Sequence, residues 1–392
     1  QDYLKIKDDL TGNISKEKNT VKKIKGKFIV TNDPMFSSSN LLNKFSSIIS
    51  DKQRKFINLI KKNNNFNLIK NNIEKLSTLK VLVIGETIID KYVFCEALGK
   101  SGKESVLSFK EFNEEKYMGG VLAIARHVSS FVKNVSILSF VGEAMEEVDF
   151  INKNLEKNIK FNFIKKKNSK SIVKTRLIDR IDNRKLIGLY NVDDSSISSD
   201  EEKLFLKKLN LLIKKNDLVI LSDYGHGIFT DKLVKYVSRL KKYKSLNAQI
   251  NSTNMGFHNI RKYKNIDNII INAGELRHEM RDREGDLENL GKILKKDINA
   301  RTITITRGRA GAKLINDKKV IDCPAFGVET IDKVGAGDSM LSLISICLYL
   351  KMDIQTSLFL ASLAAAQSVK SIGNSKKINK EELIKNLFHL MK

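Results

Sequence analysis

The sequence has no apolar run that approaches the roughly 18 residues needed to span a membrane. Its polar start at Gln1 lacks the apolar core of a secretory leader. Cysteine is scarce: Cys95, Cys323 and Cys347 are unclustered and odd in number. That usage argues against a disulfide framework or a metal cage and for a reducing compartment. The expected location is cytoplasmic, with no membrane partner. No internal repeat is visible, and the absence of an initial methionine marks the chain as a candidate fragment or processed product.

Acidic residues are the other shortage, with 45 Asp+Glu against 70 Lys+Arg and a net charge of +25. Such a balance usually points to nucleic acid. Here the excess is mostly lysine and travels with asparagine and isoleucine, as in Lys61, Lys62, Asn63, Asn64 and Asn65. These residue types share A/T-rich codons, and basic residues are not interleaved with aromatics. Genome composition accounts for the bias, runs such as Lys165, Lys166 and Lys167 read as solvated faces, and no nucleic-acid partner is expected.

What is present is enough apolar material, 41% of 392 residues, for one large core plus extras or for two domains. Residues 1–78 are rich in Lys, Asn and Ser and read as a polar extension or linker. Within it, 28–34 suggests a short strand and turn, 37–40 a helix N-cap region, and 55–60 a helical pattern. At 80–85 the character changes to a buried strand ending in glycine. From there apolar β-rich runs alternate with helical patterns, which predicts an α/β domain over 79–392 with a doubly wound, mostly parallel sheet. Further strands are expected at 135–141, 218–221, 269–271 and 302–306. The more alternating segments near 91–118 and 160–192 are expected to pair as a small antiparallel β lid.

Ligands in open α/β sheets sit at the carboxyl ends of the strands. The most informative stretch there is Asp332 to Met340, where Gly335, Ala336, Gly337 and Asp338 precede a long apolar segment. Glycines before an apolar helix let an anion reach the unpaired N–H groups of its first turn. Asp338 then stands at the mouth of an anion site, placed to take a proton from an attacking hydroxyl. That combination describes phosphoryl transfer. A tight turn with Asp338 as a helix cap is the alternative reading of so short a motif. Asp90 is an acceptor-only carboxylate suited to a sugar hydroxyl, or a turn cap. Gly119 and Gly120 open a small-residue helix and permit close backbone approach to a ligand, or simply start that helix. Lys174, Arg176 and Arg180 alternate on one strand face and, if aimed inward, meet a phosphate; Arg180 is the one expected to point outward.

Asp332, Gly335, Ala336, Gly337 and Asp338 entering an apolar helix resemble the signature of the ribokinase-like (PfkB) sugar kinases. Other elements follow in family order across residues 79–390. The resemblance implies an ATP-dependent kinase for a sugar or sugar phosphate. Asp90, Gly119 and Gly120 would hold the acceptor, and the Gly335–Ala336–Gly337 backbone would form the anion hole. Asn272 and Glu275 match the family's Asn-x-x-Glu element, which organises phosphates and Mg2+ through water. Thr306, Gly308 and Gly311 match its nucleotide-binding strand and turn. Asp332 matches a position that helps hold a monovalent cation such as K+ in many relatives.

The wording from Ile172 to Arg176 and from Leu221 to Gly227 resembles the heptose 7-phosphate kinase branch, and Lys174 and Arg176 suit its anionic acceptor. That branch has Lys where His226 stands, and His226 receives no role. Glu86 replaces a more common Asp, Ala123 stands where an Asn is usual, and Leu246 to Gln249 replaces an Asp-Pro-Lys element. These departures support a competing reading, a catalytically impaired kinase-like protein that binds nucleotide or sugar in an interaction role. Residues 1–78 bear a weak resemblance to the tail of a nucleotidyltransferase module fused to such kinases, and pairing of two copies through the lid is a further expectation.

Overall fold

The computed structural model describes residues 19–24, 26, 49–251, 254–327 and 330–392. The expected strand at 28–34 and N-cap at 37–40 lie outside the described residues. The chain divides into two compact units, one of residues up to Lys70 together with Asn379–Lys392, the other Asn71–Ile378. The polar extension is expected to run to 78, eight residues past the Lys70 limit of the first unit, and the last residues group with that unit.

In that first unit, α1 (Asp51–Asn63) contains the helical pattern expected at 55–60. Ser50 and Gln53 form a reciprocal capping box at its start, and Phe56, Ile57 and Ile60 are its buried stripe. The C-terminal helix, Lys380–Met391, buries Leu383, Ile384 and Leu387. Phe66 and Phe388 meet edge to face at 5.1 Å within the unit.

The second unit is built around β1 (Lys80–Gly85), whose Val81, Leu82, Val83 and Ile84 are all fully buried. Each is worth about 2 kcal/mol of burial. With both faces apolar, such a strand needs the middle of a sheet covered on both sides. It pairs in parallel with β4 (Asn134–Gly142) and β8 (Leu218–Asp223). β4 carries β5 (Ile159–Lys166) at one edge. Beyond β8 come β9 (Tyr243–Ala248), β10 (Asn268–Asn272) and β11 (Thr302–Thr306), all parallel. β12 (Ala312–Ile315) and β13 (Val320–Cys323) close the other edge antiparallel. Among the described residues the sheet therefore has nine strands.

A second sheet contains β2 (Thr87–Lys100), β3 (Leu107–Gly120), β6 (Ile172–Asp179) and β7 (Lys185–Asn191), in the order β3-β2-β6-β7. This is the lid. It departs from the expectation in two ways. The 160–166 stretch is an edge strand of the large sheet, because its pairing partner β4 leaves a free parallel edge. The lid is also mixed, since β2 and β6 run parallel while β2–β3 and β6–β7 are antiparallel.

The helices that matter for the site are α2 (Val121–Ser129), α3 (Ala273–Met280), α4 (Ala336–Tyr349) and α5 (Ile354–Ser368). α4 is buried from Ser339 to Cys347, which holds its first turn rigidly against the carboxyl ends of the strands. The three cysteines are free and buried. Among the described residues, no helix is long and apolar enough to cross a membrane.

Candidate active site

A cavity of about 740 Å³ opens at the carboxyl ends of the strands, between the lid and the first turn of α4. Gly335 is the N-cap of α4 at φ 87°, and a Cβ there would lie 2.1 Å from Asn374 Oδ1. Only glycine satisfies both conditions. No side chain caps this helix, and the Ala336 N–H reaches Lys333 O only at 3.5 Å. The space beside Gly337 is open for 4 Å, so packing does not require a glycine there. An anion entering the cavity would meet the positive end of α4 at this point.

Asp338 lines the same cavity. Burial pushes its carboxyl up to about 7, with the Asp90 charge adding to that and the Tyr224 hydrogen bond and Lys174 opposing it. Tyr224 follows β8 and donates to Asp338 Oδ1 at 3.0 Å. Glu86, which the sequence marks as a departure, does not line the cavity. It is fully buried and accepts the N–H groups of Tyr224 at 2.9 Å and His226 at 3.2 Å. Glu86 therefore shapes the loop that presents Tyr224. His226 is a second support of that loop, its Nδ1 2.6 Å from Asp194 Oδ1.

At the lid end, Asp90, Gly120, Lys174, Arg176 and Tyr190 face the cavity. Asp90 Oδ1 accepts from Arg176 Nη1 at 2.5 Å, and Arg176 lies 5.6 Å from the Tyr190 ring. Burial holds the Lys174 ammonium below its ordinary value, opposed by the charge of Asp90. Gly119 is absent from the lining. A Cβ there would come within 2.4 Å of Asp90 Oδ2, so this glycine makes room for the neighbouring carboxylate rather than for a ligand. Arg180 lies beyond the end of β6, exposed and stacked 4.0 Å from Phe112. The alternation that would have aligned it with Lys174 and Arg176 ends with the strand. Ala123 is a core residue of α2 and does not reach the cavity.

At the opposite end, Asn272, Glu275, Thr306, Gly308 and Gly311 line the cavity. Asn272 and Glu275 form a capping box at the start of α3, Asn272 Oδ1 taking the Glu275 N–H at 2.8 Å and Glu275 Oε2 the Asn272 N–H at 3.0 Å. Burial pushes the Glu275 carboxyl up to about 7. Gly311 closes the β11–β12 hairpin, and its missing Cβ is required by Cys323 O, 2.0 Å away. Sequence reasoning gives no role to Tyr224, Tyr190, Asn247, Gln249 or Asn251, which also line the cavity. All but Tyr190 sit at or just beyond the carboxyl ends of β8 and β9, the position from which they were findable.

No group of three or more metal-ligating side chains exists among the described residues. At the Thr306 end of the cavity the carboxylate is Glu275, and one carboxylate there fits Mg2+ that keeps most of its waters and arrives with a polyphosphate. Asp332 differs. It does not line the cavity, and both its oxygens accept from N–H or O–H groups, including the Lys185 ammonium at 2.5 Å. Its surroundings do not fit a metal ion.

Comparison with known proteins accords with this geometry. The ribokinase from Thermotoga maritima superposes with a TM-score of 0.61 at 16% identity, over 79% of this chain and 99% of that one. Phosphofructokinase-2 from Escherichia coli, in complex with potassium, gives 0.63 at 14% identity, over 80% and 100%. These likenesses establish a ribokinase-like fold. The bifunctional protein HldE of Campylobacter jejuni strain RM1221 is 32% identical over 298 residues, 75% of this chain and 62% of the relative. HldE of Helicobacter pylori strain P12 is 24% identical over 300 residues, 76% and 64%. The chain thus spans less than two thirds of the length of these curated relatives. The model of the pfkB family carbohydrate kinases matches residues 78–381, a span that holds every cavity residue described above, and the chain belongs to that family.

Proposed function

We propose that this protein transfers the γ-phosphoryl group of ATP to a hydroxyl of a phosphorylated sugar, with a heptose 7-phosphate-like acceptor favoured. One observation carries the reading: Asp338, at the uncapped start of α4, shares one cavity with the Lys174 and Arg176 cations of the lid. The acceptor's phosphate meets Lys174 and Arg176, and one of its hydroxyls hydrogen-bonds to Asp90. Another hydroxyl gives its proton to Asp338 as its oxygen attacks phosphorus. The backbone of Gly335, Ala336 and Gly337 meets the charge on the transferring group. ATP lies toward Thr306, Gly308 and Asn272, with Gly311 shaping the turn. Mg2+ would be held through water by Glu275 beside Asn272 and would offset charge on the phosphates. The lid excludes water, which competes for the phosphoryl group.

For the partner surface we infer a second copy of the chain. On β7, Ile187 and Leu189 point away from cavity-lining Tyr190 and are exposed, as are Leu98 on β2 and Leu107 on β3 of the same sheet. Light scattering of the wild type beside Leu189→Glu tests this, a dimer converted to monomer being the expected result.

The kinase reading is tested by ATP consumption against a panel of sugars and their pentose, hexose and heptose phosphates. Turnover with a phosphorylated acceptor, absent from the Asp338→Asn variant, is the expected result. Binding of nucleotide with no turnover across the panel would favour the interaction role.

A further inference from the structure

We propose that Lys185 is a built-in counter-cation for Asp332, standing in place of a monovalent metal ion and fastening the lid to the loop that forms the anion hole. The inference rests on the kinase reading only for the activity arm of its test.

Asp332 is 8% exposed, and its carboxylate accepts four hydrogen bonds. Oδ1 takes Lys185 Nζ at 2.5 Å and the Val334 N–H at 3.1 Å. Oδ2 takes the Tyr92 hydroxyl at 3.0 Å and the Gly373 N–H at 2.9 Å. A carboxylate offers about four acceptor sites, so this one is saturated by donors. A metal ion would have to displace one of them, and the one positive group among them is the ammonium. Lys185 Nζ also lies 5.7 Å from the Tyr92 ring centroid, within cation–π range of the residue that donates to the other oxygen. Burial raises the Asp332 carboxyl, but the lysine and the backbone N–H groups outweigh it and hold it below its ordinary range.

The four donors come from four segments, which gives the carboxylate a mechanical role. Lys185 opens β7 and Tyr92 lies in β2, both in the lid. Val334 adjoins Gly335, and Gly373 adjoins Asn374, whose Oδ1 packs against Gly335. Asp332 thus joins the lid to the two loops that fix the anion hole. A diffusible ion would supply the charge whether the lid were open or closed. An ammonium carried by the lid supplies it only while the lid is in place, so Lys185 acts as a positioning residue for the anion hole.

The test compares wild type, Lys185→Met and Lys185→Arg in KCl and in choline chloride at equal ionic strength. It follows ATP-dependent turnover and, independently of activity, the melting temperature by dye fluorimetry. The expected wild type is indifferent to the identity of the salt cation by both readouts. Lys185→Met is expected to lose roughly tenfold in kcat with the KM for ATP little changed, and to melt earlier in choline. K+ or the arginine variant should restore it. Wild type that is activated or stabilised by K+ over choline overturns the proposal. So does Lys185→Met that matches wild type, or a loss that neither K+ nor arginine repairs, which would leave Lys185 a merely structural residue. If the wild type turns over no acceptor, the kinase reading fails, while the melting series still decides the role of Lys185.

Discussion

Tyr224, at the end of β8, donates its hydroxyl to Asp338 in the first turn of α4 across 3.0 Å. The bond favours the carboxylate form and so opposes the burial that raises this group to about 7. Tyr224→Phe removes that opposition. The acid limb of kcat/KM is expected to move to higher pH, with a loss of roughly three- to tenfold near neutrality that shrinks toward pH 9. A pH–rate series on both proteins checks this. A loss of equal size at every pH would assign Tyr224 to packing.

Asp338 must be a carboxylate to accept a proton, so wild-type kcat/KM should rise with pH through about 7. Asp338→Asn cannot act as a base at any pH. Its kcat is expected to fall on the order of a thousandfold, with the ATP dissociation constant nearly unchanged by calorimetry. A variant that keeps a tenth of the wild-type rate would show that the acceptor loses its proton elsewhere.

Lys174 separates the two ends of the cavity by chemistry. It is a partly buried cation at the lid end of the cavity, and it makes no ion pair with Asp90, which is bonded to Arg176. Lys174→Met is expected to raise KM for a phosphorylated acceptor roughly tenfold or more. Turnover of the matching unphosphorylated sugar should change little. Equal effects on both would place the acceptor's phosphate away from Lys174. Arg176 is a poorer probe, because its loss would leave the buried Asp90 carboxylate unpaired.

The legible part of this chain is the part governed by local rules. The run at 80–85 reads as a two-faced buried strand because all of its interior positions are apolar, and β1 begins and ends there. The glycines before α4 announce a helix start because backbone conformation is a local property. What escaped is non-local. Nothing within 160–166 says that it joins β4 rather than the lid, since an edge strand and a lid strand alternate alike. The pairing of Lys185 with Asp332 spans 147 positions and leaves no periodic trace. Glu86 reads as a substrate-side departure because it follows β1, yet its side chain turns into the protein toward the Tyr224 loop. The Asn272–Glu275 spacing is ambiguous for a physical reason: a capping box and a phosphate-side carboxylate need the same residues at the same interval.

Glu86 supplies the last prediction. Burial, and next the charge of Asp223, push its carboxyl from 4.5 up to about 8. The folded state therefore holds a proton that the unfolded chain releases at a lower pH. The resulting stabilisation is complete below about 4.5 and is lost as pH rises through about 8. Glu86→Gln stays neutral and keeps an acceptor oxygen for one of the two backbone N–H groups. At pH 6 it should unfold within about 1 kcal/mol of wild type. Between pH 6 and pH 9 it should lose less stability than wild type, because its Glu86 contribution no longer titrates. Urea unfolding followed by far-ultraviolet circular dichroism at the two pH values measures the difference. Parallel losses in the two proteins would mean that Glu86 is already ionised in the fold at pH 6, held by the N–H groups of Tyr224 and His226.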